Sequence, residues 1–346
     1  MIKPICMYLP QFHEFEENNF WWGKGFTEWT CLEKAKVLAP GHVLKYPHSD
    51  IGYYCLEDRS VRQKQAEIAK EYGVYGFCYY HYWFHGKLLM QKTLEMTIAD
   101  GQPDLPFCLS WANEAWTRRM NGGNGEITQP QMYGQEEEWE QHLQYLLPFF
   151  RHPNYIKVDD QPVFVIYRIS QITNYSQRFA YWKKRLKEEG FGGMFIIMTV
   201  GPFPRDECYP IVPHVDAAFD FYPNFLRRPD TISYEKENIA FCEMSVAWKR
   251  MLNDTKIHNR HFKGMMVGFD NSPRSPLRGC VYINGTPETF EVALRKQIFR
   301  ASEDEFIFIN AWNEWGEQAC LEPDSLYEYR YLEAFRRATK KVRYYA

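Results

Sequence analysis

Short apolar runs punctuate the chain, and longer stretches of helical period separate them. The apolar runs at 5–9, 74–79, 106–111, 163–167, 194–200, 217–222, 265–269 and 306–310 have the length of buried strands. Stretches at 60–72, 87–99, 136–150, 176–189, 234–252, 287–302 and 324–340 predict helices between and after them. Strands that are apolar almost throughout, each leading into a helix, predict a parallel sheet covered on both faces. Eight such units in 346 residues predict an α/β fold of the (β/α)8 TIM barrel type. A doubly wound sheet is the alternative. It favours a glycine-rich first turn, and no G-x-G-x-x-G follows the run at 5–9.

Two connections depart from the pattern. Residues 11–57 hold Trp21, Trp22, Phe26 and Trp29 with little helical period. Residues 118–131 are rich in Gly, Asn and Gln. Long βα loops in a compact domain usually carry function, and the tryptophans argue against disorder. No repeat, low-complexity tract or linker-like shift divides the chain, so 1–346 reads as a single domain.

Composition narrows the partners. A formal net charge of −3 and the absence of polybasic runs argue against a nucleic-acid surface or an anionic membrane. No apolar stretch reaches membrane-span length, and no signal-peptide pattern opens the chain, so the expected location is cytoplasmic. The 9 Cys are scattered without a C-x-x-C pair and read as buried thiols rather than disulfides or zinc ligands. No cofactor or metal pattern emerges. Aromatics make up 17% of the chain, with 11 Trp and 24 Tyr in clusters, which fits a wet aromatic groove better than ordinary core.

The ends of the proposed strands carry the polar groups, as a barrel active site requires. They supply Tyr8, Gln11 and His13; Tyr80, His81 and Trp83; Trp111, Asn113 and Glu114; Asp220 and Tyr222; Asp270, Asn271 and Arg274; and Asn310, Trp312 and Asn313. Bland readings stand beside these. His81 has even odds of being a core histidine, Asn113 and Asn310 suit turns, Asp220 suits a cap, and Arg274 suits a solvated loop. The last run ends in Asn313-Glu314-Trp315-Gly316-Glu317, two carboxylates three residues apart among indoles. Glycosidic bond chemistry needs one group to protonate the leaving oxygen and a second to act as base or nucleophile. Aromatic shielding raises a carboxyl towards the pKa of a general acid. The bland reading is two acids on a first helical turn. Glu114 competes for the second catalytic place.

Several motifs together resemble the WbsX-type proteins, the glycoside hydrolase family 99-like group. They are Tyr8-Leu9-Pro10-Gln11-Phe12-His13, Trp22-Gly23-Lys24-Gly25-Phe26-Thr27-Glu28-Trp29, Gly76-Phe77-Cys78-Tyr79-Tyr80-His81-Tyr82-Trp83-Phe84, Trp111-Ala112-Asn113-Glu114 and Asn310-Ala311-Trp312-Asn313-Glu314-Trp315-Gly316-Glu317. The resemblance covers essentially the whole chain and implies a barrel related to endo-α-1,2-mannosidases and mannanases. It also implies roles. Glu314 would take the proton of the sugar's own 2-hydroxyl, which closes on the anomeric carbon to a 1,2-anhydro sugar. Glu317 would protonate the leaving group and then activate water. Gly316 stands where those mannosidases are expected to have His, and Gln318 where Gly is expected. Apart from the resemblance, the tryptophans of the long loop at 11–57 lead to the expectation that Trp22 and Trp29 line or cover the sugar cleft.

The expected function is therefore a retaining glycoside hydrolase on an α-linked, mannose-like bacterial oligosaccharide or polysaccharide. One alternative is a glycosyltransferase or transglycosylase in surface-polysaccharide assembly, although no D-x-D motif is present. Another is a carbohydrate-binding protein without catalysis.

Overall fold

A computed structural model describes residues 2–118, 125–201, 212–223, 226, 231–253, 260–301 and 305–340. Eight parallel strands form the centre: β1 (Lys3–Tyr8), β2 (Gly76–Phe84), β3 (Phe107–Trp111), β4 (Gln161–Ile166), β5 (Phe195–Val200), β6 (Ala217–Asp220), β7 (His261–Met266) and β8 (Phe306–Asn310). Each pairs with the next in chain order, and β8 closes back on β1, where Ile5 lies opposite both Gly76 and Phe308. The sheet is thus a closed (β/α)8 barrel, and closure excludes the doubly wound alternative. These strands are buried along almost their whole length, which is why their sequences read as continuous apolar runs.

Helices cover the outside: α1 (Arg59–Tyr72), α2 (Gln91–Asp100), α3 (Glu136–Arg151), α4 (Tyr175–Glu188), α5 (Met244–Met251), α6 (Pro287–Arg300) and α7 (Arg330–Thr339). Local chemistry sets their ends. Asp58 accepts a hydrogen bond from the Ser60 amide at the start of α1, and Gly73 closes it with φ of 87°. Thr286 and Thr289 form a reciprocal cap on α6, with Pro287 in the first turn. No helix among the described residues is long and apolar enough to cross a membrane.

Four boundaries differ from the sequence reading. The stretch 87–99 is not one helix. His85 and Gly86, at φ of 49° and 90°, turn the chain so that Lys87–Leu89 pairs back on the end of β2. The stretch 234–252 is mostly a hairpin, Ile232–Lys236 with Ile239–Glu243, and only Met244–Met251 is helical. Its partner strand Gly279–Ile283 is distant in sequence, so local periodicity missed it. Strand β7 begins four residues earlier than the run at 265–269. A Cβ on Gly264 would lie 1.9 Å from the Asp220 carbonyl oxygen, so glycine permits the close approach of β6 and β7. Finally, the Asp324 carboxylate accepts the amides of Leu326 and Tyr327 and holds a turn, which delays α7 to Arg330.

The long connection after β1 contains short helices at Glu16–Trp22 and Glu28–Glu33. In the connection after β3, Trp116–Thr117 pairs with Ile127–Gln129. Described cysteines are free, and all but Cys55 are buried.

Candidate active site

The chain leaving β8 is pinned to its neighbours. Asn313 accepts the Leu9 amide at 2.8 Å and donates to the Leu9 carbonyl at 3.0 Å, which ties this segment to the end of β1. Asn310 donates to the Tyr222 carbonyl at 2.8 Å. Trp315–Glu317 then forms a single 3-10 turn, and Gln318, at φ of 51°, donates to the Trp315 carbonyl. The Trp315 indole N–H donates to the buried Glu322 carboxylate at 2.8 Å. Tyr54 and Gln65 donate to the same carboxylate at 2.8 and 2.7 Å. Burial pushes Glu322 up to about 7, while these donors pull it down.

Arg274, from the loop after β7, organises the acids. Its Nη2 donates to Glu314 at 2.7 Å, and its Nη1 donates to Glu317 at 2.8 Å. Its Nε and Nη2 donate to one oxygen of Glu28 at 3.0 and 2.6 Å. That Glu28 oxygen also accepts the Gly316 amide at 2.8 Å. One guanidinium therefore serves three carboxylates. The planar fork of arginine suits this, where a lysine point charge would not. A Cβ at Gly316 would fall 2.1 Å from the Glu28 oxygen, so the glycine leaves room for the Glu28–Arg274 pair.

The two acids of the turn sit in different surroundings. The Glu314 side chain is 6% exposed and that of Glu317 is 27% exposed. Burial pushes Glu314 up to about 8; Arg274 holds it down, and Glu317 and Glu28 push it further up. The tyrosines facing the pair, Tyr80 and Tyr82, are held protonated by burial and by Glu314, so each can donate a hydrogen bond.

The acids open onto a cleft of about 350 Å³. Of the residues predicted from sequence, Gln11, Tyr80, Glu114, Asn271, Arg274, Glu314 and Glu317 line it together. Glu114 stands in the same cleft but is paired with Arg168. The lining also includes Leu9, Tyr82, Trp116, Tyr167, Phe221 and Ser275, which sequence reasoning had not selected. Glu28 had not been selected either. Its signal was its place in the Trp22–Trp29 motif of the tryptophan-rich loop.

The other predicted residues lie outside this lining. Tyr8 is buried between the strands and α1, where it packs on Phe77 and Tyr79 and donates to Gln65 at 2.7 Å. His13 is buried near Thr93. Trp22 packs on Phe26 beneath the Arg118 guanidinium. Trp29 is core, against Phe12, Tyr54 and Trp315, with its N–H on the Tyr54 carbonyl. Asn113 bridges to the Arg168 backbone at 2.7 Å in both directions. Asp220 pairs with His261 at 3.0 Å, and Asp270 pairs with His42 at 2.7 Å. Trp312 packs against Phe77, and Tyr222, Asn310 and Asn313 are buried supports.

His81, Trp83 and Trp111 turn instead to the helix layer. His142 of α3 stacks on Trp83 and approaches His81 Nε2 at 2.9 Å. Arg178 of α4 donates to His142 Nδ1 at 2.9 Å, so the His142 proton lies on Nε2 and points to His81. Burial drives His81 down to about 3, which keeps it neutral. The Arg178 guanidinium lies 4.6 Å from the Trp111 ring centroid and also binds Glu138.

Comparison with known proteins follows this geometry. Residues 4–335 match the family described as glycosyltransferase WbsX. The uncharacterized protein WxcX of Xanthomonas campestris pv. campestris is 33% identical over 351 residues, covering 98% of this chain and 50% of the relative. The chain thus spans about half the length of the curated relatives it matches. A solved glycoside hydrolase-like protein superposes with a TM-score of 0.64 at 12% identity, covering 99% of this chain and 94% of that one. The GH99 endo-alpha-mannosidase from Bacteroides thetaiotaomicron gives 0.60 at 15% identity, covering 98% and 99%. At these identities the structural likeness is one of fold. The match over nearly the whole barrel, acid turn included, makes this chain a member of the WbsX glycosyltransferase family.

Proposed function

We propose that the barrel is a retaining glycoside hydrolase for α-linked, mannose-like sugars with a free 2-hydroxyl. The family description and the glycoside hydrolase-like fold agree on a carbohydrate-active enzyme. The observation that carries the finer reading is the acid pair: a buried carboxyl and a more exposed one, three residues apart and joined by Arg274 at the lip of a sugar-sized cleft.

In the first step the Glu314 carboxylate takes the proton of the 2-hydroxyl, and that oxygen bonds to the anomeric carbon. The bond to the leaving oxygen breaks, and Glu317 supplies that oxygen with a proton. In the second step Glu317 takes a proton from water, whose oxygen opens the 1,2-anhydro ring at the anomeric carbon. The 2-oxygen regains its proton from Glu314. Two displacements at one carbon retain its configuration. The nucleophile is already part of the substrate, so a single proton acceptor suffices.

The chemistry needs one proton on the two carboxyls. Burial favours that proton on Glu314, so the reactive form is the one in which Glu317 carries it and Arg274 holds the Glu314 carboxylate ionised. Above about pH 8 the proton on Glu314 is lost, so kcat/KM should fall there. The experiment is a pH profile on any oligosaccharide cleaved from a panel of bacterial polysaccharides, with products read by mass spectrometry. A rate still rising above that pH, with no fall, would contradict the need for that proton.

A second reading has the family description in its favour. If a sugar hydroxyl replaces water in the second step, the same residues perform transglycosylation. Adding acceptor oligosaccharides and nucleotide sugars to the panel separates transfer from hydrolysis.

A further inference from the structure

A second cavity, about 380 Å³, lies beside the acid site and shares Arg274 with it. Its walls come from the short helix Glu28–Glu33 and the segment after it, and from the loop after β7. Phe26, Leu38, Pro273 and Pro276 give it apolar walls, and Lys34 and Lys36 bring two ammonium groups. Many of the other lysines on the described surface have acidic partners, for example Lys70 with Asp104, Lys87 with Glu17 and Lys92 with Glu57. Lys34 and Lys36 pair with no carboxylate among the described residues. Glu28, on the same short helix, is engaged elsewhere, by Arg274 and the Gly316 amide. Ser272, also on the lining, is buried, and its hydroxyl has no hydrogen-bond partner among the described residues. Cys31 contributes no nucleophile, since burial lifts its thiol to about 12.

We propose that this cavity is a subsite for an acidic sugar, with Lys34 and Lys36 receiving its carboxylate or phosphate group next to the unit held by the acid pair. The apolar walls meet sugar C–H faces, and the lysines meet the anion. Arg274 screens that anion from Glu314 and Glu317. The inference rests on the glycan-cleaving reading of the adjoining cleft, and deepens it to a substrate class: a mannose-like unit followed by an acidic residue.

The test is a set of dissociation constants for the full chain with mannose, mannuronic acid, mannose 6-phosphate and inorganic phosphate at low salt. At least one acidic sugar should bind about tenfold tighter than mannose, since two partly exposed charge contacts are worth roughly that much. Which acidic sugar does so identifies the anion. The gain should shrink with salt, vanish in Lys34→Glu/Lys36→Glu, and persist in Lys34→Arg/Lys36→Arg. Circular dichroism and melting temperature check that both variants fold. Equal binding of mannose and both acidic sugars overturns the proposal. So does a preference kept by the charge-reversed variant, or inorganic phosphate binding as tightly as the acidic sugars. Failure to cleave any glycan would sink the hydrolase reading but would leave these constants to be judged separately.

Discussion

Glu317→Gln is expected to bind oligosaccharide normally and to lose about 10²–10⁴-fold in turnover, the usual cost of removing a general acid. The amide still accepts the hydrogen bond that Arg274 Nη1 makes to Glu317, and the site is partly exposed, so the fold should stand. What the amide lacks is a proton acidic enough to give to a leaving oxygen. A substrate with an activated leaving group needs little protonation and should recover part of the loss in the first step. Glu314→Gln should lose as much but should not be recovered this way, because the 2-hydroxyl needs its base whatever the leaving group. The split between the two variants, read as kcat with activated and natural substrates, assigns the roles. Full activity in both would make the pair structural and would turn attention to Glu114, which faces the same cleft.

Arg274→Met should destabilise the protein by about 3–5 kcal/mol, the scale for stripping the partner from buried charge. The Glu28 and Glu314 side chains are only 1% and 6% exposed, and the guanidinium is the cation that both contact. The loss should depend on pH. Glu314 already has a folded value of about 8, above its ordinary 4.5, so the fold favours its neutral form. That contribution is fully present below about 4.5 and is lost as pH rises through 8. Removing Arg274, which holds Glu314 down, raises the value further. The deficit against the native protein should therefore be largest at alkaline pH and smallest under acid. Urea unfolding at three pH values measures it. Arg274→Lys keeps the charge without the fork and should fall between the two. A deficit that stays flat with pH would mean that packing, not charge, sets the cost.

The barrel was legible because its strands are buried on both faces. The run 306–310 coincides with β8, and 106–111 includes all of β3. Such strands announce themselves by composition, without needing their partners. The hairpin at Ile232–Glu243 did not, because its burial depends on Gly279–Ile283 and its length matched a helix. Of the cleft's lining, the sequence made Glu314, Glu317 and Arg274 legible, but not most of the wall around them. Along β2, side chains alternate between faces. Tyr80 and Tyr82 face the cleft, while His81 and Trp83 meet His142. Tyr80, His81 and Trp83 cannot all face one cleft under that period, which pairs Tyr80 with Tyr82 instead. Glu28 lay beyond any local rule, since its partners Arg274 and Gly316 are 246 and 288 residues away.

The neighbouring-hydroxyl route makes one demand that no other two-acid mechanism makes. The substrate must carry a free 2-hydroxyl, because that oxygen is the nucleophile. The most direct measurement is the rate of cleavage of a matched pair of substrates, one with a free and one with a methylated 2-oxygen, with binding of each checked separately. The expected result is that both bind and only the free hydroxyl is turned over. Cleavage of the 2-O-methyl substrate at a normal rate would show direct attack by a carboxylate or by water, and would contradict the roles given to Glu314 and Glu317.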